Sequence, residues 1–136
     1  YSNPSFSLSE AQTLDDWLRL EGNGRDKPLL NRAMREYYVP GSTFKAFTMI
    51  AAFRAGKQNS TFASSGGGYV PFRGSRAITD SNGGCAGPYG CTTLNIAQAF
   101  EVSSNQYFGR LAVELGRERM AETAALFGIS AVETPE

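Results

Sequence analysis

A serine and a lysine three residues apart define the part of this sequence where chemistry is most plausible. Ser42 and Lys45 follow Pro40-Gly41, and Lys45 leads into the apolar stretch 47–53. Pro40 and Gly41 are predicted to interrupt any preceding element, and the apolar stretch predicts a buried helix. Ser42 would then lie in the first helical turn, where unpaired N–H groups and the positive end of the helix dipole stabilise an oxyanion.

Lys45 is the candidate base for this serine, because it lies one turn further along the same helix face. A lysine among apolar neighbours loses its proton more readily, and the neutral amine can activate a serine nucleophile. The alternative is that Ser42 only caps the helix and Lys45 is a solvated side chain. The sequence contains no histidine. This excludes Ser-His-Asp and Cys-His catalysis, and any zinc site that needs imidazole.

A second group of short polar side chains, Ser103-Ser104-Asn105, stands between two predicted helices. The helices are predicted over residues 92–102 and 106–115. Small polar residues between helices are most often a turn with an N-cap, and that interpretation stays open. The chemical interpretation is that Ser103 relays a proton from the lysine to a leaving amine. Asn105 and Ser104 are then the candidate substrate-binding residues.

Together the two motifs resemble the active-site region of penicillin-binding protein transpeptidases. The stretch from Tyr38 through Ser42 to Lys45 is similar to that family's active-site serine motif, with wording closest to the class B branch. Ser103-Ser104-Asn105 is similar to its second motif. The resemblance implies one partial transpeptidase domain over residues 1–136. The implied fold is mainly α with a short β-hairpin, the helical part of the α/β penicillin-binding protein and serine β-lactamase fold without most of its antiparallel sheet.

The resemblance also implies a reaction. Ser42 attacks the carbonyl of a D-alanyl-D-alanine stem peptide of peptidoglycan, and Lys45 takes the serine proton. The amine of a second stem peptide resolves the acyl-enzyme, and β-lactam antibiotics trap the same serine. No cofactor is implied.

One departure from the family pattern concerns its third motif, Lys-Thr-Gly or Lys-Ser-Gly, which does not occur in this sequence. In the family this motif lies on a sheet strand that binds the substrate carboxylate and supplies a second oxyanion N–H. One such donor is worth about a hundred- to a thousand-fold in rate. We therefore expect this chain to be inactive by itself.

A non-catalytic function stays open beside the enzymatic one, as a β-lactam sensor or a binding and assembly module of the same fold. A β-lactamase is less favoured, because nothing resembles the glutamate that activates water for deacylation. The resemblance implies a bacterial, extracytoplasmic protein whose parent is membrane-anchored. Without the sheet, we expect Phe44, Met49 and Phe127 to be exposed, which predicts self-association or a second chain that supplies the strands.

Composition excludes several other classes. The 136 residues include 13 basic and 13 acidic side chains, so there is no electrostatic case for binding nucleic acid or an anionic membrane surface. A hydrophobic content of 41% is that of a folded globular chain. The sequence shows no apolar run of membrane-spanning length and no signal peptide.

Cys85 and Cys91 flank a spacer rich in Gly and Pro, which favours a small disulfide loop and suits an extracytoplasmic protein. Free buried thiols are the main alternative. Redox or metal function has much less support, because two thiols alone make a poor metal site.

Four further elements are predicted. Ser7-x-x-Glu10 is a capping box that should open a helix carrying Leu14 and Trp17. Residues 57–67 read as a loop with little to order it, and 69–72 with 76–79 as a short hairpin. A last helix is predicted over 117–128. Aromatic residues at helical spacing are predicted to form core: Trp17, Phe47, Phe53, Phe100, Phe108 and Phe127.

Overall fold

The computed structural model describes residues 3–35, 38–81 and 84–129. The chain forms two compact units, Tyr1–Val39 and Pro40–Glu136. The second unit contains both predicted motifs, and most of the buried core lies there.

The described residues of the first unit form two α-helices, α1 (Leu14–Gly22) and α2 (Arg32–Arg35). The predicted capping box at Ser7 is present, but it opens a single 3-10 turn, Leu8–Glu10. Helix α1 has its own capping box, in which the Thr13 hydroxyl accepts from the backbone N–H of Asp16. The helix therefore begins later than predicted, because Thr13 provides a second N-cap.

Helices α3 (Phe44–Arg54) and α5 (Asn105–Ala125) form the main packing interface of the second unit. Ala51 and Ala52 of α3 are almost fully buried, as are Leu111 and Leu115 of α5. Small alanine side chains let the two helices approach closely, so the larger leucines fill the space between them. This interface fixes the end of α3 that carries the first motif relative to the start of α5.

Helix α5 is interrupted at Gly116, whose φ of 80° and ψ of 163° are not helical. Glycine adopts this backbone conformation without the clash that a Cβ would cause. The two helices predicted on either side of Gly116 are therefore present as two helical segments joined by a sharp break.

The sheet consists of two antiparallel strands, β1 (Phe62–Ala63) and β2 (Thr93–Leu94), with Phe62 opposite Leu94. The prediction of an unordered loop over 57–67 was thus wrong in part. The helix predicted over 92–102 also begins later, as α4 (Ile96–Glu101), because the Asn95 side chain caps it. The pairing explains both corrections, since the two segments satisfy each other's backbone groups.

The predicted hairpin is present as one antiparallel bridge between Tyr69 and Ile78. It packs against α5 at Gly109, where a Cβ would lie 2.9 Å from Cδ1 of Ile78. A larger residue at this position would require the Ile78 side chain to move. The bridge brings the chain that follows it, Thr79 and Asp80, to the first turn of α5.

The fold class is confirmed: the described residues are mainly helical, with one short antiparallel pair. The prediction that all the aromatic residues form core was wrong. Phe108 is buried as predicted. Four of the other aromatic side chains are at least two-fifths exposed: Trp17, Phe53, Phe100 and Phe127. Phe44 and Met49 are partly buried rather than exposed. Among the described residues, no helix has the length and apolar character to cross a bilayer.

Candidate active site

Ser42 lies in a 3-10 turn, Gly41–Thr43, that runs directly into α3. Gly41 has a φ of 55°, a conformation that glycine adopts at little cost. The Thr43 hydroxyl donates to the Pro40 carbonyl at 2.6 Å and closes the turn. Ser42 is thus held, with an exposed side chain, at a helix start where N–H groups have no intrahelical acceptor. The backbone N–H of Ser42 is one candidate donor to an oxyanion.

The Lys45 amine lies at the centre of a cluster of polar side chains formed by Ser42, Ser103 and Asn105. Its Nζ is 3.1 Å from the Ser42 hydroxyl oxygen and 2.9 Å from that of Ser103. It also donates to the Ser103 carbonyl and to Oδ1 of Asn105, at 2.6 Å each. The lysine therefore joins the two motifs, which are about 60 residues apart in sequence.

Ser103 lies in the turn between α4 and α5 with a φ of 55°, the left-handed region that non-glycine residues seldom occupy. This conformation directs both its carbonyl and its hydroxyl towards Lys45. The Ser103 hydroxyl donates to the Ser42 hydroxyl oxygen at 3.1 Å. A residue held in such a conformation costs of order 1–3 kcal/mol, and such strain is concentrated at functional sites.

Asn105, the first residue of α5, is held from two sides. Its Oδ1 accepts from Lys45, and its Nδ2 donates to the carbonyl of Thr79 at 3.0 Å. The side-chain amide is therefore fixed in one orientation. Because an amide nitrogen carries two hydrogens, one remains for a substrate carbonyl.

Ser104 does not share this position, and its predicted role as a substrate-binding residue is corrected. Its side chain is fully buried. The hydroxyl donates to the carboxylate of Asp80 at 3.1 Å and accepts from the N–H of Tyr107 at 3.1 Å. Ser104 is thus the N-cap of α5 and faces away from the cluster around Lys45.

Burial of Lys45 makes its amine easier to deprotonate. Burial lowers the pKa of Lys45 below its ordinary value of 10.5, and the negative charge of Asp80 opposes this shift. Four oxygens surround the amine, whereas an ammonium has three hydrogens. In its neutral form the amine can donate to the two nearest oxygens and accept the proton of a hydroxyl group. The site can therefore remove a proton from Ser42 or exchange one with Ser103.

Asp80 and Gln106 are two residues of this site that the sequence did not indicate. Asp80 accepts bonds from the first turn of α5, and Gln106 is buried with its side-chain amide bonded to Ser65. A carboxylate after a short strand has no pattern that distinguishes it from a surface residue. The one available signal is that the N–H groups at the start of a helix need hydrogen-bond acceptors, which another segment can supply.

Cys85 and Cys91 are joined in a disulfide, with Cα atoms 4.9 Å apart. The adjacent Gly84 carbonyl accepts from Nε2 of Gln106, so the disulfide loop lies beside the support of the second motif. In the part of the chain that the structure describes, no three His, Cys, Asp or Glu side chains are grouped to hold a metal ion.

The family model of the penicillin binding protein transpeptidase domain matches residues 1–135. The chain therefore belongs to the penicillin-binding protein transpeptidase family.

Curated relatives support this assignment. The peptidoglycan D,D-transpeptidase PbpA of Mycolicibacterium smegmatis is 36% identical over 120 residues, covering 88% of this chain and 24% of the relative. The peptidoglycan D,D-transpeptidase MrdA of Escherichia coli K12 is 29% identical over 108 residues, covering 78% of this chain and 16% of the relative. The chain spans about a quarter or less of the length of these two relatives.

Solved structures agree. The ceftriaxone acyl-enzyme complex of penicillin-binding protein A from M. tuberculosis matches with a TM-score of 0.76 and 30% identity, covering 96% of this chain and 30% of that one. The penicillin G acyl-enzyme complex of the same protein matches with a TM-score of 0.75 and 30% identity, covering 96% of this chain and 31% of that one.

Proposed function

We propose that the protein containing this chain is a serine D,D-transpeptidase that cross-links peptidoglycan stem peptides and is acylated by β-lactams at Ser42. The observation that carries the proposal is the single amine of Lys45 within hydrogen-bond distance of Ser42, Ser103 and Asn105. Its lowered pKa supports a base rather than a structural cation. The names of the matched relatives support the same reaction class.

Acylation begins when the neutral Lys45 amine takes the proton of the Ser42 hydroxyl. The serine oxygen forms a bond to the carbonyl carbon of the penultimate D-alanine, and negative charge develops on the carbonyl oxygen. The N–H of Ser42, in the turn that begins the helix, is the donor to which we assign stabilisation of that charge. Asn105 donates its free amide hydrogen to the peptide and holds it in line.

Collapse of the intermediate breaks the bond to the terminal D-alanine, whose nitrogen needs a proton. Ser103 supplies it and is reprotonated from Lys45, because its hydroxyl lies between the amine and the Ser42 oxygen. The amine of a second stem peptide then attacks the ester carbonyl and forms the new peptide bond, the bond from that carbon to the Ser42 oxygen breaks, and the amine's proton passes through Ser103 and Lys45 to the Ser42 oxygen. A β-lactam forms the same ester, but its ring opens and no group departs.

The finer expectations follow from this proposal and from the surface. We propose an extracytoplasmic location, which the disulfide between Cys85 and Cys91 supports, and a membrane-anchored parent. An open apolar groove of about 550 Å³, lined mainly by residues of α5, supports self-association or cover by further strands. We also keep the expectation that this chain alone is inactive.

The test is donor turnover by the complete natural polypeptide that contains this sequence. Incubation with a pentapeptide stem and an amine acceptor should release D-alanine and form a cross-linked product. Ser42→Ala should abolish both, whereas Ser9→Ala, an exposed serine in the first unit, should leave them unchanged. Binding of penicillin without D-alanine release would favour the β-lactam sensor. If the protein neither bound penicillin nor released D-alanine, the proposal would be overturned.

A further inference from the structure

Asp80 is a buried carboxylate directly beneath the second motif, with 8% of its surface exposed. Its Oδ1 accepts from the backbone N–H of Asn105 at 2.5 Å and of Gln106 at 3.1 Å. The Ser104 hydroxyl donates to the same carboxylate at 3.1 Å. These donors are consecutive residues of the turn that carries Ser103 and the first helical turn of α5.

All described partners of this carboxylate are donors, which is the pattern that an ionised carboxylate satisfies. Oδ2 of Asp80 also accepts hydrogen bonds from Nε2 of Gln106 at 3.3 Å and from the Ser64 hydroxyl at 3.5 Å. Free N–H groups at a helix start are stabilised by a negative charge, and hydrogen bonds to ionised groups are the strong ones. Asp80 therefore supplies from another segment the anion that orders this turn.

The segment that carries Asp80 is itself fixed. The bridge between Tyr69 and Ile78 packs on Gly109 of α5, and the next carbonyl, that of Thr79, accepts from Nδ2 of Asn105. Asp80 and Thr79 thus hold Asn105 by its backbone and by its side chain. Both contacts determine where Oδ1 of Asn105 meets the Lys45 amine.

We propose that Asp80 is a positioning residue for acyl transfer, whose carboxylate holds Ser103 and Asn105 in register with Lys45 through the first turn of α5. This inference rests on the proposed function. Asp80 touches none of the proposed reacting atoms and acts through the residues that it orders.

A second consequence concerns charge, because Asp80 is a charged group among the described residues that raises the pKa of the Lys45 amine against the effect of burial. The polar groups that contact the amine directly, Ser42, Ser103 and Asn105, carry no charge. Other charged side chains on α5, or close to it, make their described contacts elsewhere: Glu114 with Lys57, Arg110 over the Tyr69 ring, and Arg119 with the Leu115 carbonyl. Loss of the Asp80 charge should therefore lower the pKa of Lys45 further.

The test compares Asp80→Asn with Ser104→Ala and with Glu122→Gln, a control that removes an exposed acid on α5, in the complete natural polypeptide. Acylation by a fluorescent penicillin is followed against pH, and the Lys45 amine is titrated by carbon NMR with Lys45→Met for assignment. In Asp80→Asn, the high-pH plateau rate should fall roughly ten- to a hundred-fold. The apparent pKa of Lys45 should fall, because the Asp80 charge that raises it is lost.

Ser104→Ala keeps the charge, so it should slow the plateau by about three- to tenfold and leave the Lys45 titration unmoved. Glu122→Gln should change neither. An Asp80→Asn plateau within about threefold of wild type, or an unmoved Lys45 titration, overturns the inference. Should Asp80→Asn fail to fold, Ser104→Ala replaces it as the test. A three- to tenfold lower plateau rate in Ser104→Ala then supports the inference, and a wild-type rate overturns it.

The two proposals fail differently. A wild-type protein that penicillin does not acylate would overturn the proposed function. The Lys45 titration would still be measurable there, and a lower pKa in Asp80→Asn would support the coupling of Asp80 to this cluster, whereas an unchanged pKa would overturn it.

Discussion

Replacement of Lys45 by methionine removes the amine while it keeps the length and apolar character of the stem. The variant loses the base that is 3.1 Å from the Ser42 oxygen, and such a base contributes about a hundred- to ten-thousand-fold. It also leaves the Ser103 carbonyl and Oδ1 of Asn105 without the donor that contacts each at 2.6 Å. We expect the acylation rate to fall by about two to four orders of magnitude, equivalent to about 3–5 kcal/mol of transition-state stabilisation.

The assay is the second-order rate of labelling by a fluorescent penicillin, measured on the complete natural polypeptide near neutral pH. Lys57→Met is the matched control, because Lys57 lies beyond the C-terminal end of α3 and forms an exposed ion pair with Glu114 at 2.6 Å. Exposed pairs of this kind contribute little to stability, so this variant should label at the wild-type rate. A Lys45→Met rate within about tenfold of wild type would refute the assignment of the base. Equal slowing of both variants would show a general loss of folding.

Three further predictions concern the pH dependence of acylation and the stability of the fold. Acylation should slow as pH falls through the pKa of Lys45, which burial places below 10.5, because protonation removes the base; a pH profile of the labelling rate measures this. Burial raises the pKa of Tyr107 to about 12, and its hydroxyl donates to the Ser60 carbonyl at 2.6 Å. The folded state therefore binds the Tyr107 proton more tightly than the unfolded state. The resulting stabilisation is complete below pH 10 and is lost towards pH 12. Urea unfolding should show that loss of stability in wild type and a smaller loss in Tyr107→Phe. Joint replacement of Cys85 and Cys91 by serine should cost about 2 kcal/mol by the same measurement, and equal stability would contradict a structural disulfide.

The local part of the site could be predicted from sequence. A three-residue spacing on one helix places Ser42 and Lys45 on the same face whatever surrounds them. The apolar stretch that follows also fixes α3 as a packed helix, since it must bury its alanines. Local periodicity and capping therefore predicted most helices, although their starts shifted where a second cap, at Thr13 or Asn95, was available.

The assignment within the second motif could not be predicted as reliably. Ser103 and Ser104 are adjacent and alike in sequence, and the left-handed backbone at Ser103 decides which one meets Lys45. The contacts of Asp80 with this turn span 24 to 26 residues, so no local pattern contains them. The pairing of β1 with β2 is also non-local, because each strand has two residues and neither has a periodicity of its own.

The central claim is that the hydroxyl of Ser42, activated by Lys45, is the nucleophile. Its most direct test is mass spectrometry of the complete natural polypeptide after incubation with penicillin, followed by proteolysis. We predict one adduct of the mass of intact penicillin on the peptide that contains Ser42, and none in Ser42→Ala. An adduct on another residue, or full labelling of Ser42→Ala, would contradict the account.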